Sequence, residues 1–231
     1  MSDDFFKFPH TPHLAWIGKG TPREDKILSK HEAEDFLSHD IHIEEKVDGA
    51  NIGISFDKNG QLRVQNRGGY LIKPYQGQFE KLPEWLSFYR YALTETIGDD
   101  LILFGEWMAA VHSIEYPKLP DLYIGFDVFQ KSTQTFWSKE RRDGLLRSIG
   151  LPPIQSVAHG RFTVGELIEN LSTTESHYRD GAPEGFYFRV EENDMLKTRA
   201  KLVRSEFIQA IDVHWAKQGI RWNPDPRKQG K

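Results

Sequence analysis

Two periodicities alternate along this chain. Residues 41–47, IHIEEKV, and 52–56, IGISF, are short β-rich runs joined by Asp48-Gly49-Ala50-Asn51, a turn-prone connection. Asn59-Gly60 marks a second tight turn before residues 62–65, so the spacing predicts an antiparallel meander here. Further strands are expected at Leu101 to Glu106, Leu122 to Phe129 and Gly185 to Val190, the last rich in aromatics and closing on a charged turn. Apolar residues recur at helical spacing in Leu82 to Ile97, in Lys139 to Ile149 behind a Ser138 cap, in Thr163 to Leu171 and in Ser205 to Lys217. Residues 196–202 read as a strand that sends Lys197, Arg199 and Lys201 to one face and Leu196, Thr198, Ala200 and Leu202 to the other. The expected fold class is α+β, with antiparallel β-sheets flanked by helices.

No repeat, low-complexity block or long linker divides the 231 residues, so one domain over 1–231 is expected. With 38% hydrophobic and 28% charged residues the composition is that of an ordinary globular chain, which excludes intrinsic disorder. The absence of cysteine excludes disulfide scaffolds, thiolate zinc sites and cysteine nucleophiles. No run approaches the ~18 apolar residues of a membrane span, and MSDDFFKFPH lacks the order of a signal peptide, so a cytoplasmic protein without a membrane partner is expected.

Charge alters this picture. The net charge of −4 alone argues against a polyanionic partner, yet from Met195 onward nine basic residues face three acidic ones, a surplus of six that leaves the preceding 194 residues at −10. A basic end on an acidic body is either a polyanion-binding strip or a solvated tail.

The segment with most chemical content is Glu44-Glu45-Lys46-Val47-Asp48-Gly49-Ala50-Asn51. A lysine at the end of an apolar strand, followed by a glycine turn, is presented at a sheet mouth. It becomes a nucleophile if burial or nearby positive charge lowers its pKa from about 10.4. On the KxDG match alone an ordinary hairpin lysine fits as well. There is no GxxxxGK[ST] or GxGxxG for a P-loop or dinucleotide site, and His10, His13, His39 and His42 lack metal-ligand spacing.

The match does not stand alone. It is followed by Gln65-Asn66-Arg67-Gly68, Leu103-Phe104-Gly105-Glu106-Trp107, Ile124-Gly125-Phe126-Asp127, Glu184-Gly185-Phe186-Tyr187-Phe188-Arg189 and Leu196-Lys197-Thr198-Arg199-Ala200-Lys201. In this order, from about residue 40 to about 204, the chain resembles the covalent nucleotidyltransferase superfamily of polynucleotide ligases and mRNA capping enzymes, whose motifs I, Ia, III, IIIa, IV and V fall on these segments. KVDGAN is similar to RNA ligases, where asparagine follows the glycine by two positions, and in particular to the nucleotidyltransferase domain of the family typified by the second RNA ligase of T-even phage.

The resemblance implies a ligase-type, ATP-grasp-like nucleotidyltransferase domain that joins RNA 5'-phosphate and 3'-hydroxyl ends with ATP and Mg²⁺ or Mn²⁺, through a lysyl-AMP. It leaves open DNA in place of RNA and an end-healing kinase or phosphatase as partner. It places the nucleophile at Lys46, ATP contacts at Glu45, Asn51, Arg67, Glu106, Phe126, Lys197, Arg199 and Lys201, and the divalent ion at Glu184 with Asp48 as second acidic group. The residue types suit these roles: cations neutralise phosphate charge, Glu106 can accept from ribose hydroxyls, and Phe126 can stack on adenine or else serve as a core residue. Asp127 is expected to be structural. Asn51 either donates to a phosphate oxygen or caps a turn. Two cations separated by one residue complete motif V; Lys197-Thr198-Arg199 is the preferred register by its distance from Glu184, with Lys201 as a further phosphate contact.

Only about 30 residues follow Lys201, so no OB-fold domain is expected, and 205–231 should form a short helical, basic segment. Its Phe207, Ile208, Ile211 and Trp215 read as core, while Arg221, Arg227, Lys228 and Lys231 could instead contact RNA phosphates. Alternative readings are an ATP-dependent DNA ligase, a capping-type guanylyltransferase, or a nucleotide- or RNA-binding module without turnover.

Overall fold

The computed structural model of the chain describes residues 5–18, 27–210 and 219–228. Alternating apolar positions build two antiparallel sheets. The small sheet runs in the order β7-β1-β8-β9, from β1 (Ile41–Lys46), β7 (Ser156–Gly160), β8 (Gly185–Glu192) and β9 (Met195–Val203). The large sheet runs β3-β2-β4-β5-β6, from β2 (Ala50–Phe56), β3 (Leu62–Gln65), β4 (Leu101–Trp107), β5 (Tyr123–Gln130) and β6 (Thr135–Phe136).

This corrects the expected meander. β2 and β3 form the hairpin, with Gly60 at φ +71°, but β1 and β2 lie in different sheets. The chain crosses between them at residues 47–49, where Gly49 is required because a Cβ would sit 2.6 Å from the Trp107 carbonyl oxygen.

Helices cover the outer faces. α1 (Lys30–Leu37), which the hydrophobic pattern did not predict, opens with a Ser29/Glu32 capping box. α2 (Leu82–Ile97) buries Leu82, Trp85, Leu86, Tyr89, Leu93 and Ile97 along one stripe and packs with the large sheet. α3 (Lys139–Ile149) starts at Ser138, whose side chain accepts the Arg141 N–H, and ends on left-handed Gly150. α4 (Val164–Thr173) joins α1 in covering the small sheet, with Leu167 and Leu171 packed among Ile41, Ile43, Phe186 and Phe188. No helix among the described residues is long and apolar enough to cross a membrane.

α5 spans Ser205–Ala210; Ile211, Trp215 and Lys217 of the expected longer helix lie outside the described residues, as does Lys231. Residues 219–228 return to the body: Trp222 bridges to Ala110, and buried Asn223 donates to Met108 O at 2.7 Å and accepts from Tyr116 N at 2.9 Å. Arg227 pairs with Asp225 at 2.7 Å and Lys228 with Glu84 at 3.0 Å.

Candidate active site

The pleat of β1 sorts its polar residues. Ile41 and Ile43 face the α1/α4 core, and Glu45 points the same way: it is 1% exposed and accepts from the Ser176 hydroxyl and from His177 N at 2.9 Å. Its side chain therefore does not join ATP binding as expected. Glu44 and Lys46 project to the opposite face.

There Lys46 Nζ donates to both carboxylate oxygens of Glu184 at 2.6 Å. β1 pairs with β8 so that Lys46 lies opposite Gly185, immediately after Glu184. Gly185 allows close strand packing, since a Cβ would fall 2.3 Å from Leu202 O. Burial alone would lower the Lys46 pKa, but Glu184, Tyr187, Asp48 and Glu106 together outweigh it and hold the ammonium above its ordinary value. The expected depression of this pKa is thus not what the pairing produces.

The large sheet supplies the other wall. Glu106 stands opposite Asn51 in the β2/β4 register and accepts the Gly49 N–H at 3.0 Å. Burial, with help from Asp48, pushes its carboxyl up to about 7 against the pull of Lys46. Asn51 Oδ1 is buried and finds no hydrogen-bond partner among the described residues. Arg67, exposed after β3, adds positive potential at Glu106 and Tyr187. Asp48 accepts from Ser113 N at 3.0 Å and from the Ser113 hydroxyl, with His112 at 3.9 Å, while its own N–H donates to Tyr116.

The raised Glu106 pKa has a measurable consequence. The folded chain keeps a proton that an ordinary glutamate releases near 4.5, so it binds more protons between about pH 4.5 and 7, and stability falls as pH rises through that window. One such proton contributes a slope of at most about 1.4 kcal/mol per pH unit. Glu106→Gln should flatten this decline in thermal midpoint; parallel curves for variant and wild type would refute the assignment.

Between the two sheets a narrow pocket of about 20 Å³ is lined by Phe8, Phe126, Tyr187 and Phe188, with Glu44 and Arg199 at its polar side. Its floor is a buried ionic network. Arg142 donates to Glu44 at 2.6 Å, to Asp143 at 2.6 Å and to Phe126 O at 2.7 Å; Asp127 accepts from Arg189 at 2.6 Å and from Arg199. Asp127 therefore ties one sheet to the other. Phe8 and Tyr187 were not singled out from the sequence; Tyr187 shares the strand parity of Lys201, its β9 partner, and this parity is the signal that could have found it.

The three cations of β9 separate. A register shift between Val190 and Glu191 breaks the ladder opposite Lys197, which is 45% exposed and pairs with Glu192 at 3.3 Å, away from the pocket. Arg199 is held by Asp127 and lies over the rings of Phe136 at 4.1 Å and Phe8 at 4.9 Å. Lys201, opposite Tyr187, contributes to the field on Glu184, and its backbone is clamped by Pro12 O and Leu14 N. The geometry favours Arg199-Ala200-Lys201 and removes Lys197, correcting the preferred register.

Comparison with solved structures shows the fold. An archaeal ATP-dependent RNA ligase is 20% identical, with TM-score 0.57 over 87% of this chain and 49% of that one. A variant of the Naegleria gruberi RNA ligase with ATP and Mn is 14% identical, with TM-score 0.60 over 76% of this chain and 53% of its own. A putative ATP-dependent DNA ligase from Aquifex aeolicus is 21% identical, with TM-score 0.60 over 93% and 54%. The chain thus spans about half the length of these proteins. Among curated proteins no sequence match is found. The family model for RNA ligase matches residues 39–203, from just before β1 to the last residue of β9. That span takes in both sheets and well over half of the sequence, and the chain belongs to the RNA ligase family.

Proposed function

We propose that this chain is an ATP-dependent RNA ligase, acting as one nucleotidyltransferase domain that joins 5'-phosphate and 3'-hydroxyl ends through a lysyl-AMP. The observation that carries this reading is the position of Lys46, a buried amine held on Glu184 at the end of β1 and within the field of Tyr187, Asp48 and Glu106. The Naegleria gruberi relative holds ATP and Mn, which supports ATP and a divalent ion here.

Phe126 and Tyr187, which line the same pocket, are the rings on which the base would stack, giving affinity at little entropic cost. Glu106, poised near neutrality, suits a ribose hydroxyl. Arg67 and Lys201 suit the phosphates. Lys46 Nζ then attacks the α-phosphorus; the N–P bond forms, the bond to pyrophosphate breaks, and the ammonium proton has Glu184 as its nearest acceptor. AMP passes to a 5'-phosphate, and a 3'-hydroxyl displaces it to close the strand.

Among the described residues no cluster of three or more ligating side chains could hold an ion by itself. The donor set still fits one: an all-oxygen group of Glu184, Asp48 and the unpartnered Asn51 Oδ1 suits a hard ion that keeps water and phosphate ligands. Such an ion would neutralise charge on the phosphate oxygens.

The test is incubation with labelled ATP and a divalent ion, followed by a denaturing gel. Label on the chain and sealing of nicked RNA are expected; no label from ATP overturns the reading, and label from GTP or NAD alone points to capping-type or NAD-dependent chemistry. Within the same assay Lys201→Ala should slow labelling about 100-fold, the scale for losing one preorganised charge partner, whereas Lys197→Ala should stay within about twofold. The reverse ranking would restore the Lys197 register.

A further inference from the structure

Asp48 is held from a distance. It sits in the crossing between the sheets, two residues after Lys46, and its charge acts on Lys46, Glu106 and Glu184. Its Oδ2 accepts twice from Ser113, from the backbone N–H at 3.0 Å and from the hydroxyl. Its own N–H donates to Tyr116 Oη at 2.9 Å. Both partners stand on the loop that follows β4, 65 and 68 residues further along the chain. His112, engaged with Gln78, flanks the other oxygen, Oδ1, at 3.9 Å.

That loop is closed by a single side chain. Buried Asn223 donates Nδ2 to Met108 O at 2.7 Å and accepts from Tyr116 N at 2.9 Å, which ties residues 108 and 116 together. The backbone adds two more bonds, from Asn223 N to Ala109 O and from Val111 N to Arg221 O, each at 2.9 Å. Residues 221–223 lie outside the family-matched span 39–203, yet they set the loop that holds Asp48. Within it Val111, Ile114 and Tyr116 are buried, and Ser113 is exposed. An exposed hydroxyl adds little to the fold, whereas two bonds to one carboxylate oxygen fix the rotation of that carboxylate.

We propose that Ser113 is a positioning residue for Asp48, and that Asn223 sets the loop from which Ser113 works. With Oδ2 taken by Ser113, Oδ1 is left to meet the divalent ion beside Lys46 and Glu184. Ser113 never touches the ion; it decides where a ligand oxygen points. Hydrogen bonds of this kind change metal affinity by about 10–100-fold. The inference rests on the ligase reading, since that reading is what calls for an ion at Asp48.

The test uses the full chain, Mn²⁺ and an ATP analogue with a methylene bridge between the α- and β-phosphates, which binds without transferring AMP. The parent chain should melt higher with Mn²⁺ and analogue than with analogue alone, because a ligand of the folded state stabilises it. Ser113→Ala should melt like the parent when unliganded, since the Ser113 N–H bond and the buried loop remain, and should need about tenfold more Mn²⁺ for the same rise. In self-labelling with ATP, the Mn²⁺ concentration at half-maximal rate should move by the same factor, while kcat at saturating Mn²⁺ holds. Ser113→Thr keeps the hydroxyl and should restore both readings. Asn223→Ala should show the displaced Mn²⁺ demand together with a lower melting temperature, because Met108 O and Tyr116 N lose their buried partner. Parental Mn²⁺ demand in Ser113→Ala, or no recovery in Ser113→Thr, overturns the proposal; parental demand in Asn223→Ala overturns the part given to the loop. A parent chain without any Mn²⁺-dependent rise overturns it too, whatever the labelling shows. A rise that depends on Ser113 in a chain that takes no label from ATP would instead sustain the positioning role and defeat the ligase reading.

Discussion

Lys46→Ala will take no label from ATP, and Lys46→Arg will take none either. The alanine variant has no nucleophile. The arginine variant keeps a charge opposite Glu184 but presents a guanidinium that stays protonated and cannot attack phosphorus. Both proteins should remain folded, because the tie between the sheets runs through Asp127 and Arg142, away from Nζ. The alanine variant nevertheless leaves Glu184, 6% exposed, without its counter-ion. Burial already raises that carboxyl, and without Lys46 it rises further; its stabilising proton is lost as pH climbs, so the variant's melting temperature should fall more steeply with pH than wild type. Label persisting on Lys46→Ala and mapping by mass spectrometry to another lysine would remove the assignment.

Arg142→Ala should cost about 3–5 kcal/mol of stability, the usual penalty for deleting one partner of a buried ion pair. Arg142 is fully buried and satisfies Glu44, Asp143 and Phe126 O at once. Its removal leaves two buried carboxylates with less compensation and takes a donor from the backbone of the residue assigned to the base. Urea midpoints should show the loss, and the KM for ATP should rise with it. Arg142→Lys should recover little, because an ammonium cannot make the forked contacts that reach Glu44 and Asp143 together. A cost below about 1 kcal/mol would place the network among surface-like ion pairs of small worth.

The hydrophobic pattern reveals α2 and α3 to the residue because a 3.6-residue stripe, a Ser138 cap and Gly150 are all local signals. It does not reveal the crossing between sheets. An Asp-Gly turn reads the same whether the next strand pairs back or leaves, and what decides is distant: Ser113 holding Asp48, and the Trp107 carbonyl crowding Gly49. The short, half-exposed β7 and the polar α1 carry too little periodicity to stand out. In the site, Lys46, Asn51, Glu106 and Glu184 are legible because each lies at or beside a strand end, and the structure brings them together. The β9 register was hidden by the shift between Val190 and Glu191, which sequence alternation does not show. Phe8 was hidden because it reaches the pocket by tertiary packing from outside the family-matched region.

The passage at residues 47–49 bears on more than topology. Lys46 belongs to the small sheet, whereas Asn51, Glu106 and Phe126 belong to the large one, so the amine and the groups we propose to face the nucleotide are brought into register only by docking the two layers. A nascent, nicked or partly unfolded chain would hold one half of the reagents and be inert toward ATP. Self-labelling is therefore an assembly gauge: the fraction of molecules that can be labelled at saturation counts those in which both layers have closed.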